Sequence, residues 1–268
     1  MMRTRPIAAI LLRRFYLVRT SPARLLPLFV WSAVDIVLWG FITRYLNVVT
    51  APQIDFVGVL VGAVLFWNFF TRVMFGVTTT FLEDVWSRNF LNLFATPLSI
   101  AEYLTGLVIS SIATSTIGLA VMLVLAVALF GLPFLVFGLA LIPFLLVLFL
   151  FGIALGVFAI AMVLRYGPAA EWFAWPIPAV LSPFAAVFYP VAILPTWMQY
   201  VARLLPPSYV FESMRAILAD APLVWTDLLW AFSLAGLHIL LACGLFIRVY
   251  RHAVRTGLLA RYTAETIN

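Results

Sequence analysis

The chain has 268 residues, 65% of them hydrophobic and 10% charged, with a mean hydropathy of +1.14. No water-soluble fold buries that much apolar side chain, so the composition places the chain in a membrane as a polytopic helical protein. All sixteen basic residues are arginines. A standard phosphate-cradling loop ends in Gly-Lys-Ser/Thr, so the chain lacks the residue that such a nucleotide-hydrolysing site needs, and any ATP energy must enter through another subunit. The net charge of +6 does not point to nucleic acid, because the arginines flank apolar runs, where they suit a membrane surface.

Taken in order, residues 1–24 read as a basic interfacial helix. Ile7, Ile10, Leu11, Phe15 and Val18 recur at helical spacing, with Arg5, Arg13, Arg14 and Arg19 available to the other side. The apolar core of this segment is interrupted by Arg13 and Arg14 and no small-residue cleavage site follows, so it is expected to be retained rather than removed as a signal peptide. A first span is expected over about 25–45 and a second over about 56–80, joined by a short loop with Asn47, Pro52 and Asp55.

Residues 81–99 interrupt the hydrocarbon. Leu82, Trp86, Phe90 and Leu93 share one helical face and Asp84, Arg88 and Asn92 another, which predicts a short amphipathic helix lying along the membrane and stopped by Pro97. Ser99-Ile100-Ala101-Glu102 has the form of a capping box, so a new helix should begin near Ile100.

Third and fourth spans follow over about 100–130 and 132–164, separated by a Gly131-Leu132-Pro133 corner, with a kink expected at Pro143. The fifth, about 172–189, contains Pro176, Pro178 and Pro183 and should be irregular, its freed backbone groups facing protein or water. Residues 195–220 are too polar for a span and too apolar for a free loop. They read as two short helices: Trp197, Val201 and Leu204 form one apolar face, Val210, Met214 and Ile217 the other, and Pro206-Pro207 make the corner. Periodicity alone fits a re-entrant pair and a pair resting on the surface equally well. The sixth span covers about 223–250, and residues 251–268 form a basic tail.

The fold class expected is therefore all-α: six transmembrane helices, an N-terminal interfacial helix, a short helix after the second span and a helical hairpin before the sixth. With six spans both termini share a side. Twelve arginines fall there (Arg3, Arg5, Arg13, Arg14, Arg19, Arg24, Arg88, Arg165, Arg248, Arg251, Arg255 and Arg261) against Arg44, Arg203 and Arg215 opposite, which predicts cytoplasmic termini and an outer hairpin.

Candidate chemistry is sparse. Asp35 and Arg72 are intramembrane charges whose depths differ by about 9 Å along their helices. Arg72 is expected to snorkel to the interface, and an ion pair with Asp35 is the alternative. His238 reads as a hydrogen-bonded structural histidine. Cys243 stands alone in an apolar run, so neither a disulfide framework nor a cysteine-based metal site is available, and no other ligand cluster at metal-binding spacing occurs. Gly58 with Gly62, Gly152 with Gly156, and the stripe Gly106, Ser110, Thr114, Gly118 permit close helix contact, within one bundle or across a homodimer seam. A lipid-modifying membrane enzyme and a nucleotide-independent channel are the rival classes; the first lacks a visible catalytic cluster.

Two segments, LNLFATPLSIAEYLTG and FYPVAILPTWMQYVARLLPPSYVFESMRAIL, together with the order of elements around them, resemble the membrane subunits of type 2 ATP-binding-cassette (ABC) exporters. The resemblance implies a homodimeric permease in the bacterial cytoplasmic (inner) membrane, paired with two copies of a separate ATPase subunit that holds the ATP and Mg. It would move a polysaccharide, lipid-linked glycan, lipid or amphipathic drug outward, with membrane lipid and no nucleic acid as a partner, and with no catalytic, cofactor or metal site in the chain itself. It further implies that Glu83, Asp84, Trp86, Arg88, Asn89 and Phe90 form the coupling helix, with Arg13 and Arg14 as a second ATPase contact. Tyr189, Pro190, Pro195, Trp197, Pro206, Pro207 and Tyr209 would belong to an outer gate.

Overall fold

The computed structural model describes residues 4–20, 26–49, 57–87, 89, 92–93, 95–131 and 134–258. Helix α1 (Thr4–Thr20) and α2 (Leu26–Val49) come first, and a π-helical turn, Val57–Val61, leads into α3 (Gly62–Trp86). Helix α4 (Ile100–Phe130) follows, then a 3-10 turn, Phe134–Ala140, that runs into α5 (Leu141–Tyr166). The elements then shorten to α6 (Glu171–Ala174), α7 (Ile177–Phe184), α8 (Thr196–Leu204) and α9 (Pro206–Leu218), before α10 (Trp225–Arg255) closes the described chain. Among the described residues all regular structure is helical.

Four helices, Gly58–Trp86, Ile100–Phe130, Phe137–Tyr166 and Trp225–Arg255, are long and apolar enough to cross a membrane. They coincide with the second, third, fourth and sixth expected spans, and α2, at 24 residues, covers the first. The restart at α4 has the expected chemistry: the Ser99 hydroxyl accepts from the Glu102 N–H at 3.2 Å while the Glu102 carboxylate accepts from the Ser99 N–H at 3.0 Å. Gly131, at φ 66, ends α4 in the left-handed conformation that glycine adopts without strain, its N–H closing on the Val127 carbonyl.

Two expectations are corrected. No separate helix begins at Phe81; α3 runs unbroken to Trp86 with Phe81, Leu82, Asp84 and Val85 buried, because these side chains pack inside the bundle rather than along a membrane surface. Pro143 does not kink α5. It lies in the first turn, where no i−4 carbonyl is needed, and the bend falls instead at Gly138, at φ 48 and ψ −134. The fifth expected segment is irregular, as its prolines predict: α6 stops at Ala174, α7 holds only 8 residues with Pro183 inside it, and Ala186 follows at φ 50.

Helices α3 and α5 form the centre, with 61% and 67% of an 18-residue apolar stretch of each buried, against 22% for α4 and 22% for α10. Small residues allow this. A Cβ on Gly152 would lie 2.9 Å from Val73 and 3.1 Å from the Phe70 carbonyl, and one on Gly156 would lie 2.8 Å from Val77 and 3.0 Å from the Met74 carbonyl. The Gly-x-x-x-Gly pair therefore works within one bundle, as a seat for α3. Residue numbers rise together along this contact, so α3 and α5 run parallel. Helix α4 is antiparallel to α3: Ser111 donates to the Val73 carbonyl at 2.9 Å, Gly118 lies against Arg72, and Tyr103 meets Asp84.

The chain between α5 and α10 travels the length of the bundle. Glu171 touches Trp86, the last residue of α3, whereas Met214 lies against Gly62, its first residue. The distance between those ends is about 36 Å along α3, so the broken segment and the start of the hairpin carry the chain from the end that bears α1, here the proximal end, to the distal one.

Overpacking tests the central seat. Gly156→Val should lower the thermal unfolding midpoint of the purified chain, at a cost of about 1–3 kcal/mol, because the Met74 carbonyl and Val77 cannot both retreat. Gly236→Ala, which meets nothing within 4 Å, should leave the midpoint unchanged.

Candidate functional site

Four of the expected coupling residues, Arg13, Arg14, Glu83 and Asp84, meet at the proximal end of α3, though not as a free surface. Asp84 is the node. Its side chain is 4% exposed and is paired with Arg13 of α1, while its other oxygen accepts from the Tyr103 hydroxyl of α4 at 2.7 Å. Glu83, one residue earlier, pairs with Arg14. Three helices thus converge on two adjacent carboxylates, and α1 is held by both of its central arginines. Packing reinforces the charges: Ile10 is buried against Gly106, where a Cβ would fall 2.9 Å from its side chain. A shallow cleft beside the paired charges is lined by Ile10, Leu17 and Thr80.

Trp86 is 52% exposed, and its indole N–H donates to the Glu171 carboxylate at 2.7 Å, linking the tip of α3 to the start of α6. Beyond Trp86 the Asn89 N–H reaches back to the Asp84 carbonyl at 3.0 Å and the Leu93 N–H to the Asn89 carbonyl at 3.1 Å, one helical turn before Ser99. Arg88 and Phe90, also expected here, lie outside the described residues, as do Arg24 and Asp55.

At the distal end the hairpin expected over 195–220 is present, with its corner one residue earlier than predicted. Leu205 makes the turn, and Pro206 and Pro207 are the buried first residues of α9, where a missing N–H costs nothing. Val210 and Met214 are fully buried against the bundle, whereas Trp197 and Leu204, on the other apolar face, are each 61% exposed. Only Ala202 of α8 is buried, so the hairpin is seated through α9. Glu212 secures it: one carboxylate oxygen accepts from the Val191 N–H at 2.7 Å and from Arg215 at 2.9 Å, and Arg215 also donates to the Val187 carbonyl at 3.2 Å. Tyr189 donates to the Pro183 carbonyl at 2.8 Å and Tyr209 to the Arg203 carbonyl at 3.0 Å, while Pro190 and Pro195 are exposed. Burial, then the nearby Asp227 charge, raises the Tyr209 phenol above its ordinary value against the opposing pull of Arg203.

The remaining singled-out residues lie among the helices. Asp35 meets the Asn68 side chain, one turn before Arg72 on α3. Arg72 does not snorkel. It is 7% exposed and folded over Gly118, because the glycine leaves a slot in α4 that a guanidinium fills. His238 is bonded to the Leu234 carbonyl at 2.8 Å and packs edge-on against Phe151. Sequence reasoning misses Tyr103, Glu171 and Glu212. The first two find partners 19 and 85 residues away, beyond any local pattern. Glu212 has a local signal, its i,i+3 spacing to Arg215.

The node predicts non-additive energetics. Asp84→Ala leaves Arg13 and a buried phenol without their shared acceptor and should destabilise by about 3 kcal/mol. Tyr103→Phe should cost about 1 kcal/mol. A double-mutant cycle of Arg13→Ala with Asp84→Ala, read as shifts in the thermal unfolding midpoint, should show a coupling of at least about 1 kcal/mol.

A search of curated proteins found no match. The profile of the family described as ABC-2 type transporter matches residues 10–219, which contain the node, the central helices and the hairpin. Members of that family are membrane transport subunits that typically pair with ATPase subunits. The match covers most of the chain, and the multi-pass helical bundle agrees with it: this protein belongs to the ABC-2 type transporter family.

Proposed function

We propose that the chain is the permease subunit of an ATP-driven exporter in a bacterial cytoplasmic membrane, working as a homodimer with two separate ATPase subunits that hold ATP and Mg. The observation that carries the reading is the clamp at the proximal end. A push on the exposed tip around Trp86 moves α3, and through Asp84 and Glu83 it also moves α1 and α4, so an outside engine finds three helices already joined. In this reading Arg13, Arg14, Glu83 and Asp84 make the lever stiff, and the exposed Trp86, Ser87 and Asn92 are offered to the ATPase.

The broken segment from Glu171 to Tyr189 serves as the fifth crossing, which gives six and puts both termini in the cytoplasm. Its distal continuation, the hairpin seated by α9 at Gly62 and Trp67, is the external gate. Re-entrance rather than surface rest is favoured by Phe211 packing on Trp67, several residues inside the span that starts at Gly58. The cargo class is that of the family: polysaccharide, lipid-linked glycan, lipid or amphipathic drug.

Co-expression with the ATPase encoded beside it should yield a stable complex. Asp84→Asn should leave that complex assembled while lowering its nucleotide-driven transport several-fold, because the lever is loosened rather than removed. If no ATPase copurifies and flux proceeds without nucleotide, the chain is a channel; if the isolated chain turns over lipid, it is an enzyme.

A further inference from the structure

Helix α10 carries one surface stripe from end to end. Leu228, Ala231, Ala235, Ala242, Phe246, Val249 and Ala253 are buried. At about 100° per residue they fall within an arc of roughly 60°. The opposite face is exposed and changes chemistry once. From Trp230 through Leu237, Leu240, Leu241 and Ile247 it is apolar apart from Ser233, whose hydroxyl donates to the Leu229 carbonyl, and from Arg248 onward it is basic, with Arg251, His252 and Arg255 at i+3, i+4 and i+7 on the same side.

The lengths match a bilayer. Trp230 and Arg248 lie about 27 Å apart along the helix, close to the roughly 30 Å hydrocarbon thickness, with an interfacial aromatic at one boundary and arginines at the other. The helix runs on past Arg248 to Arg255, so the basic turns project into the headgroup layer. The ion pairs among the described residues lie elsewhere, at Arg13, Arg14 and Arg215. The three arginines of α10 are thus exposed cations directly below a lipid-facing apolar stripe.

We propose that this stripe is a binding site for anionic phospholipid, the acyl chains lying along Leu237, Leu241 and Ile247 and the headgroup phosphate held by Arg248, Arg251 and Arg255. Charge complementarity selects the headgroup, and continuity with the apolar face selects a lipid over a soluble partner. The site does not depend on the exporter reading.

Native mass spectrometry of the full-length chain in detergent, titrated separately with phosphatidylglycerol and phosphatidylcholine, tests it. The wild type should prefer phosphatidylglycerol, and R248Q/R251Q/R255Q should lose roughly tenfold or more of that affinity with phosphatidylcholine binding unchanged. The triple Arg→Lys variant should keep the preference. Inorganic phosphate at matched concentration should not displace the lipid, because it lacks the chains; displacement would reduce the site to a free-phosphate site and overturn the proposal. In the wild type the preference should weaken as salt is raised, a readout that survives even if the glutamine variant fails to fold. Equal binding of the two lipids, a salt-independent preference, or a glutamine variant that keeps the preference but no longer copurifies with an ATPase would each overturn the assignment, the last by giving the stripe to the protein partner.

Discussion

A carboxylate buried to 4% exposure is tolerable only if its charge is met, and Asp84 imposes that constraint on the whole proximal end. Arg13 brings the countercharge and Tyr103 the second hydrogen bond, so satisfying one residue fixes α1 and α4 against α3. The rest of the corner follows: Ile10 must sit over Gly106, and α4 must begin just before Tyr103 so that its hydroxyl reaches Asp84, which the Ser99–Glu102 capping box ensures. Charge, packing and capping all specify one arrangement.

The bundle pays little for its central contact because glycines at 152 and 156 let backbone approach backbone. Strain is concentrated instead in the return segment, where prolines remove backbone donors and Ala186 holds a left-handed backbone. Side chains take up the freed groups there. Glu212 accepts from the Val191 N–H, and Gln199 donates to the Leu194 carbonyl at 2.8 Å. A segment closed by side chains rather than by a continuous helical ladder has fewer internal constraints than α3 or α5, which suits an element whose proposed role is to move.

Much of this is legible in the sequence. Apolar runs locate the long helices, the Ser-x-x-Glu pattern locates the start of α4 to the residue, and paired small residues locate the seat between α3 and α5. The errors share one physical cause. Periodicity says which residues share a face but not what lies opposite, so the Phe81–Leu93 pattern reads as a surface helix although the start of it is buried, and the direction of the Trp197–Leu204 face, which points out, is left open. Arg72 reads as interfacial because no sequence pattern predicts that Gly118 leaves room for it. Resemblance singles out Arg13, Arg14, Glu83 and Asp84, but that the acidic pair and the arginine pair satisfy each other requires tertiary structure, their partners being 71 and 69 residues apart.

Helix α1 is clamped to the proximal end through Asp84, and cross-linking reads that clamp most directly. Ile10→Cys with Gly106→Cys, in a Cys243→Ser background, places two sulfurs on adjoining carbons: a Cβ added at 106 falls 3.1 Å from that of Ile10, a few tenths of an ångström closer than the usual disulfide span of about 3.5–4.5 Å, so a slight separation of α1 from α4 brings the pair to bonding geometry. Oxidation in native membranes should produce a high yield of intramolecular disulfide, and the yield should fall when Asp84→Ala is added. Two thiols that both react with a small alkylating reagent yet never join, or a yield indifferent to Asp84, would contradict the clamp.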